Sequence, residues 1–162
     1  MEITVRGAVA GDIRVLVDFN LRRAEETEGK SLDGETLAAG VEAVVVGTES
    51  EGVPTGRYLV AEVDGRVVGA LMHTWEWSDW RNGVVWWLQS VFVEPEFRRR
   101  GVFRLLYETL RSQARNDERV VGLRLYVQGV NRGAQATYAR LGMSVSGYTV
   151  MEELFTESAE RG

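Results

Sequence analysis

The stretch QSVFVEPEFRRRGVF runs from Gln89 to Phe103 and decides the fold of this chain. An apolar strand leads into a turn marked by Pro95, then into an arginine-rich loop with one glycine, and then into a helix. The first amides of a helix have no acceptor within it, and they lie at the positive end of the helix dipole. Because the strand ends next to such a helix start and three arginines accompany it, the stretch predicts an anion site for a phosphate-bearing ligand.

The composition is that of an ordinary globular domain. The chain has 162 residues, of which 44% are hydrophobic and 27% charged, which suits one domain with a sizeable core. A net charge of −5 argues against general affinity for nucleic acid and makes any anion site a local feature. No apolar run approaches the roughly 20 residues that span a bilayer, and residues Met1–Arg6 lack a signal-peptide pattern. We therefore expect a cytoplasmic protein with neither a membrane nor a nucleic-acid partner.

Two scarce residue types exclude several kinds of site. Cysteine is absent, so disulfides, thiol catalysis and cysteine-based zinc sites are impossible. His73 is the single histidine, which rules out a metal site built from several histidines, and we expect no metal. The chain also lacks a Gly-x-Ser-x-Gly elbow, a Walker phosphate loop and a Gly-x-Gly-x-x-Gly motif. The usual nucleotide motifs therefore do not explain the arginine loop.

Hydrophobic periodicity and turn residues predict a mixed sheet with helices on both faces. The predicted strands are Ile3–Arg6, Tyr58–Val63, Val67–Trp77, Val84–Val93, Val121–Val127 and Ser146–Glu152, with a hairpin at Asp64-Gly65 and turns over Gly47–Gly56 and Ser78–Gly83. The predicted helices begin at Asp12 and Asp33, whose side chains suit N-caps, after Gly101, and at Asn131. The unit from Val84 to Val127 is expected to be the parallel part, with Val84–Val93 at the sheet centre. Residues 156–162 are expected to be a frayed tail.

Two motifs together resemble the GNAT family of acetyl-CoA-dependent N-acetyltransferases. The first is Arg98-Arg99-Arg100-Gly101-Val102-Phe103, and the second runs from Asn131 through Ala134 and Tyr138 to Gly142-Met143. The resemblance implies an α/β fold with a GNAT-like central mixed sheet flanked by helices, as a single domain over residues 1–155. It also implies transfer of an acetyl group from acetyl-CoA to a primary amine, by direct attack in a ternary complex.

The same resemblance assigns the donor site. It implies that the backbone over Val91, Phe92 and Val93 pairs with the pantetheine arm, and that the Arg98–Arg104 stretch (Arg98, Arg99, Arg100, Gly101, Val102, Phe103 and Arg104) surrounds the pyrophosphate. Asn131 would contact the donor further along, and Tyr138 would protonate the departing CoA thiolate. Phe103 departs from the family pattern, which has glycine or alanine there. It is expected either to turn into the core or to reshape the pyrophosphate pocket.

The acceptor is less defined. The hairpin Thr74–Gly83 is similar to one in the polyamine acetyltransferase branch, but that branch has Leu-Glu-Asp where this chain has Leu88-Gln89-Ser90. Without those carboxylates we expect a less charged or amino acid-like amine. The resemblance and the position of the hairpin make Glu28, Gln89 and Trp77 candidate substrate contacts. Trp75, Trp77, Trp80, Trp86 and Trp87 are expected mostly in the core or in the contact of a homodimer, with one or two lining the acceptor pocket.

The general base is open at this stage. An alkyl amine with a pKa near 10.4 is almost wholly protonated at neutral pH, so a group must accept its proton. The candidates are Glu76, His73 and a water chain. By resemblance, Glu26 and Glu28 lie in the segment that covers the acceptor pocket, where they are expected either to bind the amine or to stay solvated. Two other functions also stay open, namely a protein N-terminal or lysine acetyltransferase, and a non-catalytic acyl-CoA-binding sensor.

Overall fold

The structure, a computed structural model, describes residues 1–47, 49–50 and 53–155. The elements, in chain order, are β1 (Thr4–Gly7), α1 (Ile13–Glu28), α2 (Gly34–Val46), β2 (Glu49–Ser50), β3 (Val53–Pro54), β4 (Arg57–Val63), β5 (Arg66–Ser78), β6 (Gly83–Val93), α3 (Val102–Asn116), β7 (Val120–Leu125) and α4 (Arg132–Arg140). Short 3₁₀ turns at Ala10–Asp12 and Pro95–Phe97 precede α1 and the arginine loop.

The main sheet has the strand order β1-β4-β5-β6-β7. The first four strands pair antiparallel, and β6 pairs with β7 in parallel. The mixed sheet is therefore confirmed, with its parallel part where it was expected. The placement of β6 at the centre is wrong, because β5 is central and β6 lies next to the edge strand β7.

Helices cover both faces of this sheet, as predicted. On one face, Leu106 and Leu110 of α3 are fully buried against the strands. On the other face, Leu16 and Phe19 of α1 are buried beside Val41 of α2. Each such side chain contributes roughly 1.5–3 kcal/mol through the apolar surface that it removes from water. Two clusters on opposite faces therefore hold the sheet rigid between α3 and the pair α1 and α2.

The two predicted aspartate caps differ in outcome. Asp33 accepts a hydrogen bond from the Thr36 amide at 2.8 Å and caps α2 as expected. The cap at Asp12 is wrong, because its side chain does not bond to the first turn of α1. Its carboxylate instead accepts from the Arg6 guanidinium at 2.7 Å and from the Val9 amide at 2.8 Å. Arg6, on strand β1, offers the Asp12 carboxylate two charged donors, whereas the first turn of the helix would offer it one backbone amide.

The last predicted strand is also wrong. The structure assigns neither strand nor helix between Ser144 and Phe155, although Ser146–Glu152 has the composition of a strand. A strand needs hydrogen bonds from a neighbour, and no neighbour within the described part of the chain supplies them here. Within the predicted turn Gly47–Gly56, β2 pairs antiparallel with β3. Residues 48, 51 and 52, and the expected tail 156–162, lie outside the described residues.

Two negative findings apply to the described ranges only. No helix there is both long and apolar enough to cross a membrane. No group of three or more histidine, aspartate or glutamate side chains in those ranges is placed to hold a metal ion.

Candidate active site

Strands β6 and β7 pair along only part of their length and separate beyond it. Their parallel pairing runs from Val84 beside Val120 to Leu88 beside Leu125, where β7 ends. Strand β6 continues for five more residues, Gln89–Val93. On the side that faced β7, no described strand pairs with this continuation, so its backbone groups there are available to a ligand. An extended ligand can bind to such an edge as an added strand would.

Strand β6 also contains a bulge at the start of this free edge. Ala70 lies opposite Phe92 but Met72 lies opposite Gln89, so β6 has one extra residue there. Ser90 has a φ of +49°, a conformation that non-glycine residues seldom adopt. The Tyr58 hydroxyl, which accepts from Asn20 at 3.2 Å, also bonds to Ser90. These buried contacts with β4 and α1 stabilise the bulge.

The arginine loop joins this edge to α3. The first hydrogen bond of α3 runs from the Leu105 amide to the Gly101 carbonyl at 3.0 Å, which leaves the amides of Val102, Phe103 and Arg104 without acceptors in the helix. Gly101 has a φ of +87°, and a Cβ built on it would meet no atom within 4 Å. The backbone at the helix start is therefore open to a ligand, which is the arrangement that anions use.

The three arginines of the loop have different surroundings. Arg98 donates from Nε to the Val93 carbonyl at 2.8 Å and from Nη2 to Glu26 at 2.7 Å, so it ties β6 to α1. Arg99 is exposed and has a φ of +63°, and Arg100 is exposed beside the Phe97 ring. Arg98 therefore shapes the loop, while Arg99 and Arg100 are the exposed positive charges near the open amides.

Glu94 anchors the strand end, and sequence reasoning missed it. It is buried, and its carboxylate accepts from Arg22 of α1 at 2.8 Å. The Arg22 guanidinium holds the pKa of Glu94 below its ordinary value. The Glu94 amide donates to the Val68 carbonyl at 2.9 Å. Arg22 lies 72 residues away in sequence, so no local pattern could have revealed this pair.

Helix α4 brings the second motif to α3. Asn131 is its N-cap and accepts from the Ala134 amide at 3.0 Å. Tyr138 is half-buried, and its ring meets that of Phe103 edge to face, with 5.6 Å between centroids. Burial raises the pKa of Tyr138, which keeps the phenol protonated. Phe103 also packs against the core beside Tyr107, so the open question about Phe103 is settled in favour of the core.

Most of the chain, including the elements described above, matches a known protein family. Residues 23–143 match the family described as Acetyltransferase (GNAT) family, which includes β6, the arginine loop and α4. The chain belongs to the GNAT acetyltransferase family. It is accordingly an acetyl-CoA-dependent N-acetyltransferase, with acetyl-CoA as the donor. No curated protein matches the chain significantly.

Solved structures agree with membership of the GNAT family. A possible acetyltransferase from Clostridium difficile 630 is 40% identical, with a TM-score of 0.86 over 96% of this chain and 99% of that one. Two more distant structures share the fold. An aminoglycoside N-acetyltransferase, AAC(6')-Iy, in complex with CoA is 16% identical, with a TM-score of 0.73 over 96% of each chain. A Trypanosoma brucei acetyltransferase is 18% identical, with a TM-score of 0.69 over 94% of this chain and 100% of that one.

Glu76, on β5, was a candidate on the predicted acceptor side, and it is not a free carboxylate. One oxygen accepts from Arg124 of β7 at 2.6 Å, and the other accepts from the indole of Trp87. Trp87 packs against Tyr126 with 4.5 Å between centroids. Gln89 donates to the Thr74 hydroxyl at 2.9 Å. We refer to Thr74, Glu76, Trp87, Gln89, Arg124 and Tyr126 as the acceptor-side network.

The other candidate base, His73, and the two candidate amine contacts Glu26 and Glu28 are also engaged or buried. His73 is 1% exposed and stacks on Trp86, and burial lowers its pKa to about 4, so it is neutral at pH 7 and shielded from solvent. Glu26 is paired with Arg98, and Glu28 lies 3.8 Å from the Lys30 ammonium. The structure places Gln89 and Glu76 on the neighbouring strands β6 and β5, in two separate sets of contacts, and it presents no unpaired carboxylate among these candidates.

The tryptophans divide into two groups. Trp86 is buried, and Trp75 packs against the same core cluster. Trp77 and Trp80 are 61% and 84% exposed, so these two hairpin residues are not core residues, and their expected role in a homodimer contact stays a prediction. They lie at the end of β5 and in the turn between β5 and β6.

Proposed function

We propose that this GNAT protein acetylates the primary amine of a small molecule by direct attack of the amine on acetyl-CoA in a ternary complex. The free β6 edge at Gln89–Val93, which leads directly into the open amides of α3, supports this most strongly. The free β6 edge suits the amide-containing arm of the donor, and the open amides of α3 suit its pyrophosphate. With no cysteine in the chain, an acyl-cysteine intermediate cannot form.

In this proposal the donor site follows the chain from strand to helix. The backbone of Val91, Phe92 and Val93 pairs with the pantetheine arm. The residues Arg98, Arg99, Arg100, Gly101, Val102, Phe103 and Arg104 surround the pyrophosphate, mainly through backbone amides. Asn131, at the start of α4, contacts the donor beyond that point. A backbone N–H near Val91 stabilises the oxyanion that forms when the amine adds to the thioester carbonyl.

Tyr138 is the proposed general acid. A thiol has a pKa of roughly 8.5 and a phenol one near 10, so a correctly placed tyrosine can protonate the departing thiolate. Burial raises the pKa of Tyr138 further, which keeps the proton available at neutral pH. Phe103 acts as a positioning residue, because its ring contacts the Tyr138 ring and packs against the core.

The acceptor amine is proposed to bind on the acceptor-side network. Gln89 and Trp77 supply a polar contact and an aromatic surface, and Glu28 adds negative charge at the end of α1. Glu76 remains the proposed proton acceptor with the lowest support, because Arg124 and Trp87 occupy both of its oxygens. A water chain would take the proton if Glu76 does not. The aminoglycoside acetyltransferase with the same fold is compatible with a small-molecule amine acceptor.

A thiol-release assay with a panel of small amines, amino acids and peptides tests this function. We expect turnover with at least one small amine and loss of turnover in Tyr138→Phe, with binding of acetyl-CoA retained. Tyr148→Phe is the matched control, because that tyrosine is exposed and is not among the residues assigned to the site. Turnover with peptides alone would favour the protein acetyltransferase, and binding without turnover on any member would favour the sensor. The cytoplasmic location and the homodimer stay predictions.

A further inference from the structure

A cavity of about 450 Å³ lies at the corner of the sheet where β1 ends. Strand β1 stops at Gly7, opposite Leu59, so the first two residues of β4, Arg57 and Tyr58, extend past it. Cavities that bind small molecules range from roughly 300 to 1,000 Å³, so this one has the size of a ligand site. Six of its lining residues define what we call the corner cavity, namely Gly7, Val44, Val45, Arg57, Leu59 and His73.

His73 of β5, which lines the corner cavity, carries a buried polar atom without a partner. The side chain is 1% exposed, and its Nδ1 has no hydrogen-bond partner within the described ranges. The ring stacks on Trp86 and meets Trp75 edge on, and neither contact satisfies this nitrogen. An unpaired buried polar atom destabilises the folded chain. A ligand that bonds to Nδ1 would therefore gain affinity from satisfying it.

Arg57 places a positive charge beside His73. The two residues lie directly opposite each other on β4 and β5, and residues in that relation point to the same face of a sheet. The Arg57 guanidinium lies 6.0 Å from the centre of the Trp75 ring, which itself contacts His73. Burial first, and the Arg57 charge second, lower the pKa of His73 to about 4. In the part of the chain that the structure describes, this guanidinium forms no ion pair or hydrogen bond, so it is available to an anion.

The carboxylate that responds to the Arg57 charge is bound elsewhere. Asp117, which follows α3, accepts from Nε and Nη2 of Arg119 at 3.0 and 2.9 Å. These bonds are the largest cause that lowers the pKa of Asp117 to about 2, and the Arg57 charge is a smaller one. A guanidinium can bind one carboxylate through two parallel N–H bonds. Arg57 therefore has both the charge and the donors for a carboxylate that the described chain does not supply.

Apolar side chains and close backbone packing complete the corner cavity. Val44 and Val45 line it from the end of α2, and Leu59 lines it from β4. Gly56 brings the start of β4 close to β5, because a Cβ on it would lie 2.9 Å from the His73 carbonyl oxygen. A ligand that matches these surfaces has an apolar body as well as an anionic group, and an inorganic anion has no such body.

We propose that the corner cavity is a ligand site for a small organic carboxylate with an aliphatic or aromatic body. The exposed Arg57 side chain turns to the carboxylate, binds it through two N–H groups and uncovers the ring of His73. One carboxylate oxygen accepts a hydrogen bond from Nδ1–H of the neutral His73, and the apolar body packs against Val44, Val45 and Leu59. The site lies on the β1–β4 side of the sheet, and β5 separates it from the proposed donor edge of β6. It therefore does not depend on the proposed function.

The His73 imidazole reports occupancy directly, because the chain has one histidine. Its nitrogen NMR signals would be followed in the full-length protein at neutral pH, with CoA at saturation to occupy the donor site. The probes are acetate, butyrate, hexanoate, benzoate and phenylacetate, each matched with its uncharged amide. We expect a saturable shift of the Nδ1 signal with at least one of the larger carboxylates, and at least about 10-fold weaker binding of acetate and of the matched amide. No saturable shift with any carboxylate, or equal binding of a carboxylate and its amide, would overturn the proposal.

Arg57→Gln tests the charge that the proposal requires. It should weaken binding of the carboxylate at least about 10-fold, because an amide side chain offers neither the charge nor the paired N–H groups. Arg57 is exposed, so the variant should retain the fold by circular dichroism. Arg14→Gln is the matched control, since it removes an exposed arginine of α1 that does not line the cavity. Unchanged affinity in Arg57→Gln, or an equal loss in Arg14→Gln, would refute the assignment.

Gly7→Leu tests the location by filling the corner cavity. Gly7 lies opposite Leu59, two residues from Arg57, so a side chain on Gly7 would share one face of the sheet with both. A Cβ built on Gly7 meets no atom within 4 Å, so the variant should fold. Its affinity for the carboxylate should fall at least about 10-fold, because the added side chain and the ligand compete for one space. Gly11→Leu, which has the same open space outside the lining, should bind like the unmodified protein. Full affinity in Gly7→Leu would place the carboxylate elsewhere and disprove the site.

Discussion

The ring of Phe103 meets the ring of Tyr138 edge to face, 5.6 Å between centroids, and so links the start of α3 to α4. These two helices carry the two halves of the proposed donor site. The contact explains how a phenylalanine is accommodated at a position where a smaller residue is usual in the family. Its side chain turns from the loop towards the core and supports the tyrosine.

Replacing Phe103 should therefore impair catalysis more than donor binding. In Phe103→Ala, Tyr138 loses an aromatic neighbour and we expect kcat to fall by about 10-fold, because a misplaced acid loses much of its effect. KM for acetyl-CoA should change less, and the free energy of unfolding should fall by about 1–3 kcal/mol, since Phe103 is only partly buried. Steady-state kinetics measure kcat and KM, and urea unfolding measures the free energy of unfolding. Phe103→Leu, which keeps most of the volume, should recover the larger part of kcat. An unchanged kcat in Phe103→Ala would show that the contact is not needed for positioning.

Glu94 should matter for donor binding although it does not face the donor site. Glu94→Gln removes the charge that pairs with Arg22, and the partial exposure of Arg22 limits the expected loss of stability to about 1–2 kcal/mol. Because Glu94 holds the strand end where the arginine loop begins, KM for acetyl-CoA should rise several-fold. Glu96→Gln is the control, since Glu96 is exposed and, among the described residues, pairs with the exposed Arg66, which also lies 3.4 Å from Glu94. Equal effects of the two substitutions on KM would refute an anchoring role for Glu94.

Gly101 should tolerate a side chain poorly for reasons of backbone conformation. Its φ of +87° costs an L-residue about 1–2 kcal/mol. The added Cβ of Gly101→Ala would meet no protein atom, but it would occupy the open face of the helix start. We expect KM for acetyl-CoA to rise by about 10-fold with a small loss of stability. Gly34→Ala, at the start of α2, has the same open space without a positive φ and is the control. An unaltered KM in Gly101→Ala would show that the donor does not approach this backbone.

His73 should make the protein less stable in mild acid. Burial lowers its folded pKa to about 4, whereas the unfolded value is about 6.5. Between these values the unfolded chain binds the proton and the folded chain does not, so stability is complete above pH 6.5 and decreases as the pH falls towards 4. The full effect is about 3 kcal/mol. Urea unfolding at pH 7 and pH 5 measures this loss, and His73→Phe should show a smaller difference between the two pH values. Identical pH dependence in the two proteins would mean that His73 does not titrate as described.

Much of the donor side could be predicted because its signals are local. Gly101 after a run of arginines marks a loop before a helix, and Asn131 is a common N-cap, and both lie where they were expected. Asp33 caps α2 for the same local reason. Asp12 carries the same signal and fails, because Arg6 on the adjacent strand competes for its carboxylate. A cap can be predicted, but a competitor brought close by the tertiary fold cannot.

The remaining features depend on contacts distant in sequence. Ser90 adopts a positive φ that its residue type does not suggest, and it interacts with the Tyr58 hydroxyl of β4, which in turn accepts from Asn20 of α1. Glu76 is paired by Arg124, which lies 48 residues later, so the sequence could not show that its carboxylate is occupied. The residue pattern of Ser146–Glu152 is that of a strand, but a strand also requires the edge of a neighbouring strand to pair with.

The separation of β6 from β7 affects how the sequence of this protein can change during evolution. A donor held chiefly by main-chain groups along Gln89–Val93 depends little on which side chains that strand carries. Substitutions on the acceptor-side network, for example at Gln89, can then alter the accepted amine while the donor is retained. In the proposed site, the backbone therefore preserves donor binding, while the side chains that bind the acceptor are free to diversify.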